Sequence, residues 1–164
     1  MAIDRYDEIY RSWKWEVPRQ FNMGVACCGR HAHDRPALYW EDESGATSVH
    51  TYWDLQQDAN RFSNTLAALG VKRGDRVAII LAQRPETVIA HTACYQMGAI
   101  AMPLSILFGP DALEYRLRDS ATAVAIVEPS SLPNILEVRR ELPSLKHIVG
   151  VAGARETGVD DWGE

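Results

Sequence analysis

The 164-residue sequence has little of what marks several protein classes. Its three cysteines are an odd number and two are neighbours, Cys27 and Cys28, so no disulfide framework follows from them. A reducing, cytoplasmic compartment is the expectation. Lysine is scarce, three residues against 14 arginines, and 22 acidic residues outweigh the 17 basic ones for a net charge of −5. No long block of like charges occurs, which argues against a polyelectrolyte tail for nucleic acid or membrane. The longest clean apolar run, Val77 to Ala82, is far short of the roughly 20 residues a membrane span needs. The opening residues, Met1 to Glu8, lack the basic head and apolar stretch of a signal peptide.

Motifs for self-contained chemistry are equally scarce. A phosphate loop sets glycines before Lys and Ser or Thr, so that backbone N–H groups and an ammonium surround the anion. Gly153-Ala-Arg-Glu-Thr-Gly158 has the glycine spacing but continues with Val159-Asp160, and it reads as a surface loop. No G-x-G-x-x-G follows any apolar run, so the dinucleotide fingerprint is missing too. Cys27, Cys28, His31 and His33 can be drawn as a metal site, but His33 faces away on a helix and no distant pair completes a tetrahedral set. The expectation there is a buried Cys28 with solvent-facing histidines. His50, His91 and His147 stand isolated, without a Ser or Cys nucleophile in an elbow such as G-x-S-x-G. Glu41, Asp42 and Glu43 fall in a turn, Asp160 and Asp161 lie near the chain end, and Arg116, Arg118 and Asp119 occupy an outer helix face. Solvation is the simplest account of all of them. No catalytic residue and no metal ligand is assigned, and cofactor-binding residues stay unknown.

What is present describes an α/β chain. Composition is ordinary for a globular protein, 46% hydrophobic and 24% charged. A length near that of one domain, about 100–200 residues, allows roughly 68–70% of the unfolded surface to be buried. The first quarter reads as irregular and aromatic-rich, with Tyr6, Tyr10, Trp13, Trp15 and Phe21. Phe21, Val25, Cys28 and Ala32 step as one helix face that Asp34-Arg-Pro36 stops. Runs at 37–40 and 46–50 around a Ser-Gly turn predict a β-hairpin. Thr51 with Asp54 predicts a capped helix whose inner face is Leu55, Ala59, Phe62, Leu66 and Leu69, ended by Gly70. Beyond it, apolar runs begin at 77, 99, 124 and 148 with helices between them. Pro85 starts one helix and Gly98 ends it; another spans 111–119; Ser130 or Ser131 caps a third. That rhythm is the βαβ crossover of a parallel, Rossmann-like sheet of buried strands. Ligands in such sheets sit beyond the strands' carboxyl ends, here Ala82-Gln-Arg84, Pro103-Leu-Ser105, Glu128-Pro-Ser130 and Ala152-Gly153.

The order of these segments resembles the start of the AMP-forming acyl-CoA synthetases, the adenylate-forming, AMP-binding ligase superfamily. His50-Thr-Tyr-Trp-Asp-Leu55 is similar to the family's Thr-Tyr-x-Glu-Leu element, with Asp for Glu. An Asn-Arg-Phe helix ending Leu69-Gly-Val71 follows, then Gly74-Asp-Arg-Val-Ala-Ile79, Pro85-Glu86 and Gly98-Ala-Ile-Ala-Met-Pro-Leu104. Asp111-Ala-Leu-Glu-Tyr-Arg-Leu117 with Asp119-Ser120 resembles the short- and medium-chain branch, as do Phe21-Asn22 and Arg30-His31-Ala32.

The resemblance implies a ligase that joins a carboxylic acid to ATP and passes the acyl group to CoA, with Mg²⁺. It also implies an incomplete subdomain of a larger fold over 1–164: helix and hairpin in 1–50, a packing helix in 51–70, βαβ units in 74–153. The family's phosphate loop, ribose-binding acid and C-terminal lysine have no counterpart here, so the chain alone is expected to be inactive and to need no cofactor. Pro129-Ser-Ser-Leu-Pro133 stands where some relatives hold the CoA nucleotide with arginines. The partners implied are the small-molecule acid, ATP and CoA, with self-association of the isolated piece and no nucleic acid or membrane span. The alternatives are a binding or interaction module that has lost the chemistry, and a small nucleotide binder.

Overall fold

Alternate side chains of one strand enter two different cores, and that alternation places a parallel sheet in the middle of the molecule. Val77 and Ile79 face one side, Ala78 and Ile80 the other. The computed structural model describes residues 5–163. Its elements are α1 (Arg5–Ser12), β1 (Pro36–Glu41), β2 (Thr47–Thr51), α2 (Tyr52–Ala68), β3 (Arg76–Ile80), α3 (Pro85–Met97) and β4 (Ile100–Pro103). There follow α4 (Pro110–Asp119), β5 (Val124–Val127), α5 (Leu132–Val138), β6 (His147–Gly150) and β7 (Asp160–Asp161).

Strands β3 to β7 form one parallel sheet in the order β4-β3-β5-β6-β7. The chain winds outward from β3 to β4, then reverses to β5 on the opposite side of β3, which is a topological switch point. Helices α2 and α3 cover one face through Leu55, Ala59, Phe62, Leu66, Ile89 and Ala93. Helices α4 and α5 cover the other through Leu113, Leu117, Leu132 and Ile135. Strand β5 is buried at every position, as its uniform Val-Ala-Ile-Val run predicts.

Helix α2 starts where expected: Thr51 and Asp54 form a reciprocal capping box, with Asp54 N–H donating to Thr51 Oγ1 at 3.2 Å and Thr51 N–H to Asp54 Oδ2 at 2.9 Å. Pro85 opens α3, and Gly98 at φ 72° closes it in a left-handed conformation that side chains rarely adopt. The hairpin β1–β2 is antiparallel. Asp42 organises its turn by accepting from the Ser44 hydroxyl and from Ser44 and Ala46 N–H groups.

Four expectations need correction. Residues 5–12 are helical rather than irregular. The helix expected from Phe21 to Ala32 is one π-helical turn, Val25–Gly29, with Cys28 inside but Phe21 and Val25 exposed. Asn22 Oδ1 accepts from Val25 N–H there, and Gly24 lies so close to Gln96 that a Cβ would stand 2.8 Å from the Gln96 Cβ. Ser131 precedes α5 without capping it, because its hydroxyl donates to the Ile80 and Glu128 carbonyls instead.

The fourth concerns the strands, which are not all buried. Strand β4 is an edge, with Ile100 half exposed. Asp160 and Asp161 form a fifth strand at the other edge, held by Arg155 on Asp161 at 2.6 Å and His147 Nδ1 on Asp160 at 3.1 Å. Both edges are blunted. Ile100 and Leu104 N–H groups point to β3, so alternation turns Ala101 and Pro103 outward, and proline has no N–H. The β7 edge is two acidic residues long. Among the described residues no helix is long and apolar enough to cross a membrane.

Candidate functional site

Parallel sheets present their ligand sites at the carboxyl ends of the strands, and the switch point between β3 and β5 is the usual place. Here that crevice is filled by the protein itself. Glu128, just past β5, is nearly buried and accepts from Ala82 N–H at 2.8 Å and from the Ser130 hydroxyl at 2.7 Å. Arg84 sits beside it and forms a two-pronged ion pair with Glu86, at 2.8 and 3.2 Å. Burial pushes the Glu86 carboxyl up, but the Arg84 hydrogen bonds, its own backbone N–H and the nearby positive charge together outweigh it and hold it below the usual value. The β3 end therefore offers no free N–H for a phosphate at Ala82.

The open space lies one strand over. A cavity of about 780 Å³ occupies the carboxyl ends of β3 and β4 on the α2/α3 side of the sheet. Ile79, Leu81, Ala82 and Gln83 floor it, with Pro103 to Ile106 along the β4 end. Thr87, Val88, His91, Thr92 and Tyr95 line it from α3, while Tyr52 and Leu55 from α2, Ala37 from β1 and Cys27 and Cys28 close the far side. The N-terminal segment thus becomes a wall. Asn22 donates to the Gln96 carbonyl at 3.1 Å, the Cys28 thiol to the Tyr52 carbonyl at 3.5 Å, and the Trp40 indole to the Gln83 carbonyl at 2.8 Å.

The histidines expected to be isolated all have partners. His91 Nδ1 pairs with Tyr95 Oη at 3.1 Å, His50 Nε2 with Ser48 Oγ at 2.9 Å, and His147 with Asp160. Burial pushes the His91 imidazole down, and it pushes Tyr95 up and the deeply buried Cys94 thiol up to about 12. His31 stacks on Tyr52 and His33 on Trp53, each about one ring away at 4.4 and 4.6 Å. Cys28 is buried in the core with its thiol on the Tyr52 carbonyl, and Cys27 is exposed. Among the described residues no group of three His, Cys, Asp or Glu side chains is placed to hold a metal ion.

The outer helix face is also more engaged than solvation alone implies: Arg116 lies over the Phe108 ring at 4.2 Å and Arg118 reaches Glu114 at 2.8 Å. Of the strand ends named from sequence, Ala82-Gln83 and Pro103 to Ser105 meet at the cavity, Glu128 plugs the switch crevice, and Ala152-Gly153 stand apart. Sequence reasoning missed Cys27, His91 and Tyr95 as co-lining residues. The His91–Tyr95 spacing of one helical turn was the available signal.

A family model described as "AMP-binding enzyme" matches residues 26–163. An acetyl-coenzyme A synthetase from Gemmatimonas aurantiaca is 36% identical across 98% of this chain and 27% of its own length. One from Salmonella typhi is 34% identical across 93% and 26%. The chain thus spans about a quarter of the curated relatives it matches. Among solved structures, an anthranilate CoA ligase in complex with anthranoyl-AMP superposes with a TM-score of 0.81 at 28% identity, over 89% of this chain and 28% of that one. A Brucella canis acyl-CoA synthetase gives the same TM-score at 24% identity, which speaks for the fold.

Proposed function

We propose that this chain, which belongs to the AMP-binding enzyme family, supplies the N-terminal subdomain of an AMP-forming acid–CoA ligase and does not complete the reaction by itself. The carrying observation is the match of the family model to 26–163 together with 36% identity over nearly the whole chain to an acetyl-coenzyme A synthetase. In that reaction a carboxylate attacks the α-phosphate of ATP, releasing pyrophosphate, and the CoA thiol then displaces AMP from the acyl-adenylate. The substrates are a carboxylic acid, ATP and CoA in the cytoplasm, with acetate the first acid to assay.

Such chemistry needs donors and cations aimed at developing negative charge. The described residues supply little of this: Ala82 N–H is taken by Glu128, Arg84 by Glu86, and no side-chain group fits Mg²⁺. No catalytic step is therefore routed through these residues. Their contribution is the sheet, the switch-point plug and the cavity wall, on which other groups would be oriented.

The purified chain is expected to show no acetate-dependent ATP–pyrophosphate exchange, and clear exchange would show it to be sufficient. Replacing the matching quarter of the Gemmatimonas aurantiaca synthetase by this chain should give a hybrid with acid-dependent AMP formation. A folded hybrid inactive with every acid tried would overturn the ligase assignment.

A second reading, a self-standing module without the chemistry, draws support from the two closed cores and the two blunted edges. It expects a monomer. The first reading expects the exposed apolar arm to drive self-association, and sedimentation across a concentration series separates them.

A further inference from the structure

The cavity at the ends of β3 and β4 has a property independent of the ligase reading. Its volume of about 780 Å³ falls within the roughly 300–1,000 Å³ of small-molecule sites. None of the residues lining it is Asp, Glu, Lys or Arg. Leu55, Ile79, Leu81, Val88, Leu104 and Ile106 give it apolar walls from α2, β3, α3 and the loops after β3 and β4. The two threonine hydroxyls on α3 are already used, Thr87 donating to the Ala82 carbonyl at 2.7 Å and Thr92 to the Val88 carbonyl at 2.9 Å.

Tyr52, Gln83 and Ser105 add polar groups to the lining, and the ring at its α3 side is the His91 imidazole. Its Nδ1 is paired with Tyr95 Oη, and its Nε2 has no hydrogen-bond partner among the described residues. Burial favours the uncharged forms of His91, Tyr95 and Cys28 alike.

The geometry points to a binding site for an uncharged, largely apolar small molecule whose single hydrogen-bonding group meets His91. A carboxylate or phosphate entering this space would lose its water without meeting a cation, which is strongly unfavourable. A neutral aromatic loses little and gains contact on several sides. The site is thus chemically distinct from one built for ATP or an acid. Cys27 reports on it: it lines the cavity and is exposed, whereas Cys28 and Cys94 are buried.

Indole is a suitable probe on the 164-residue chain, with benzoate and ATP as charged comparisons of similar or larger size. Saturable shifts of the Leu81, Thr92 and Leu104 amide resonances are expected, with about fivefold protection of Cys27 from iodoacetamide. Benzoate should bind at least about tenfold more weakly, and ATP should leave these resonances unmoved. Ala37→Phe and Leu104→Phe fill the space from opposite sides, and each should abolish indole binding while keeping native amide dispersion. If one variant fails to fold the other remains readable, and the indole–benzoate comparison needs neither. Absence of saturable indole shifts, equal binding of benzoate, or indole binding that survives a folded filling variant would overturn the assignment.

Discussion

The N-terminal arm and the β3–α3 unit both carry apolar side chains at regular spacing, but only the second buries them. Every residue from 5 to 23 is exposed, although Tyr6, Ile9, Tyr10 and Trp13 share one face of α1 and its continuation. In the β3–α3 unit, Val77, Ala78, Ile80, Ala90, Ala93 and Cys94 have no exposed surface. Periodicity therefore states which face can be buried; a partner surface decides whether it is. The β3–α3 unit has two such partners, the flanking strands and α2, while the arm touches the rest at Asn22 and Gly24 on Gln96.

The strongest test of this contrast is a pair of truncations. Leu66→Ala in the α2 core should cost about 2–5 kcal/mol in urea unfolding, and Trp13→Ala in the arm no more than about 0.5. A Trp13→Ala loss comparable to the Leu66→Ala loss would erase the distinction. Next in size is Gly24→Ala, which drives a Cβ against the Gln96 Cβ and backbone. It should cost about 1–3 kcal/mol and make the Trp13 and Trp15 environment independent of the body's unfolding; near-neutral stability would show that the junction yields. Thr51→Ala removes one half of the capping box and should cost about 1 kcal/mol, read by the same urea series.

The smallest effect is on acidity. Burial holds the folded His91 pKa below its unfolded value, so the unfolded chain binds the extra proton first as pH falls. The related stability is fully present above pH of about 6.5 and declines as the pH drops toward the folded value. His91→Gln should flatten that part of the profile, and an unchanged slope would show that His91 is not responsible.

Much of the fold was legible because strong local signals agreed with the packing. The capping box at Thr51, the stepping Leu55-Ala59-Phe62-Leu66 face, Pro85 at the start of α3 and the uniform β5 run each specify an element without outside help. What escaped depends on tertiary partners. Asp160 and Asp161 carry no apolar pattern and become a strand through Arg155, His147 and backbone pairing with β6. The face Phe21-Val25-Cys28-Ala32 had helical spacing, yet with Gly24 seated on Gln96 and Asn22 capping Val25 it forms one wide π-helical turn. The cavity was illegible for a related reason: Cys27, Ala37, Leu55, His91 and Leu104 come from five separate stretches that only the completed sheet gathers.

Pro103 and the short acidic β7 also bear on what happens when this chain is produced in quantity. Ordered fibrils grow by templating, each incoming strand reading a row of amide donors on the last. Along β4 the outward row within the strand is reduced to Ala101, and along β7 two carboxylates would face two more across any like-to-like junction. Material that comes out of solution should therefore do so through the sticky aromatic arm, as amorphous precipitate without cross-β diffraction.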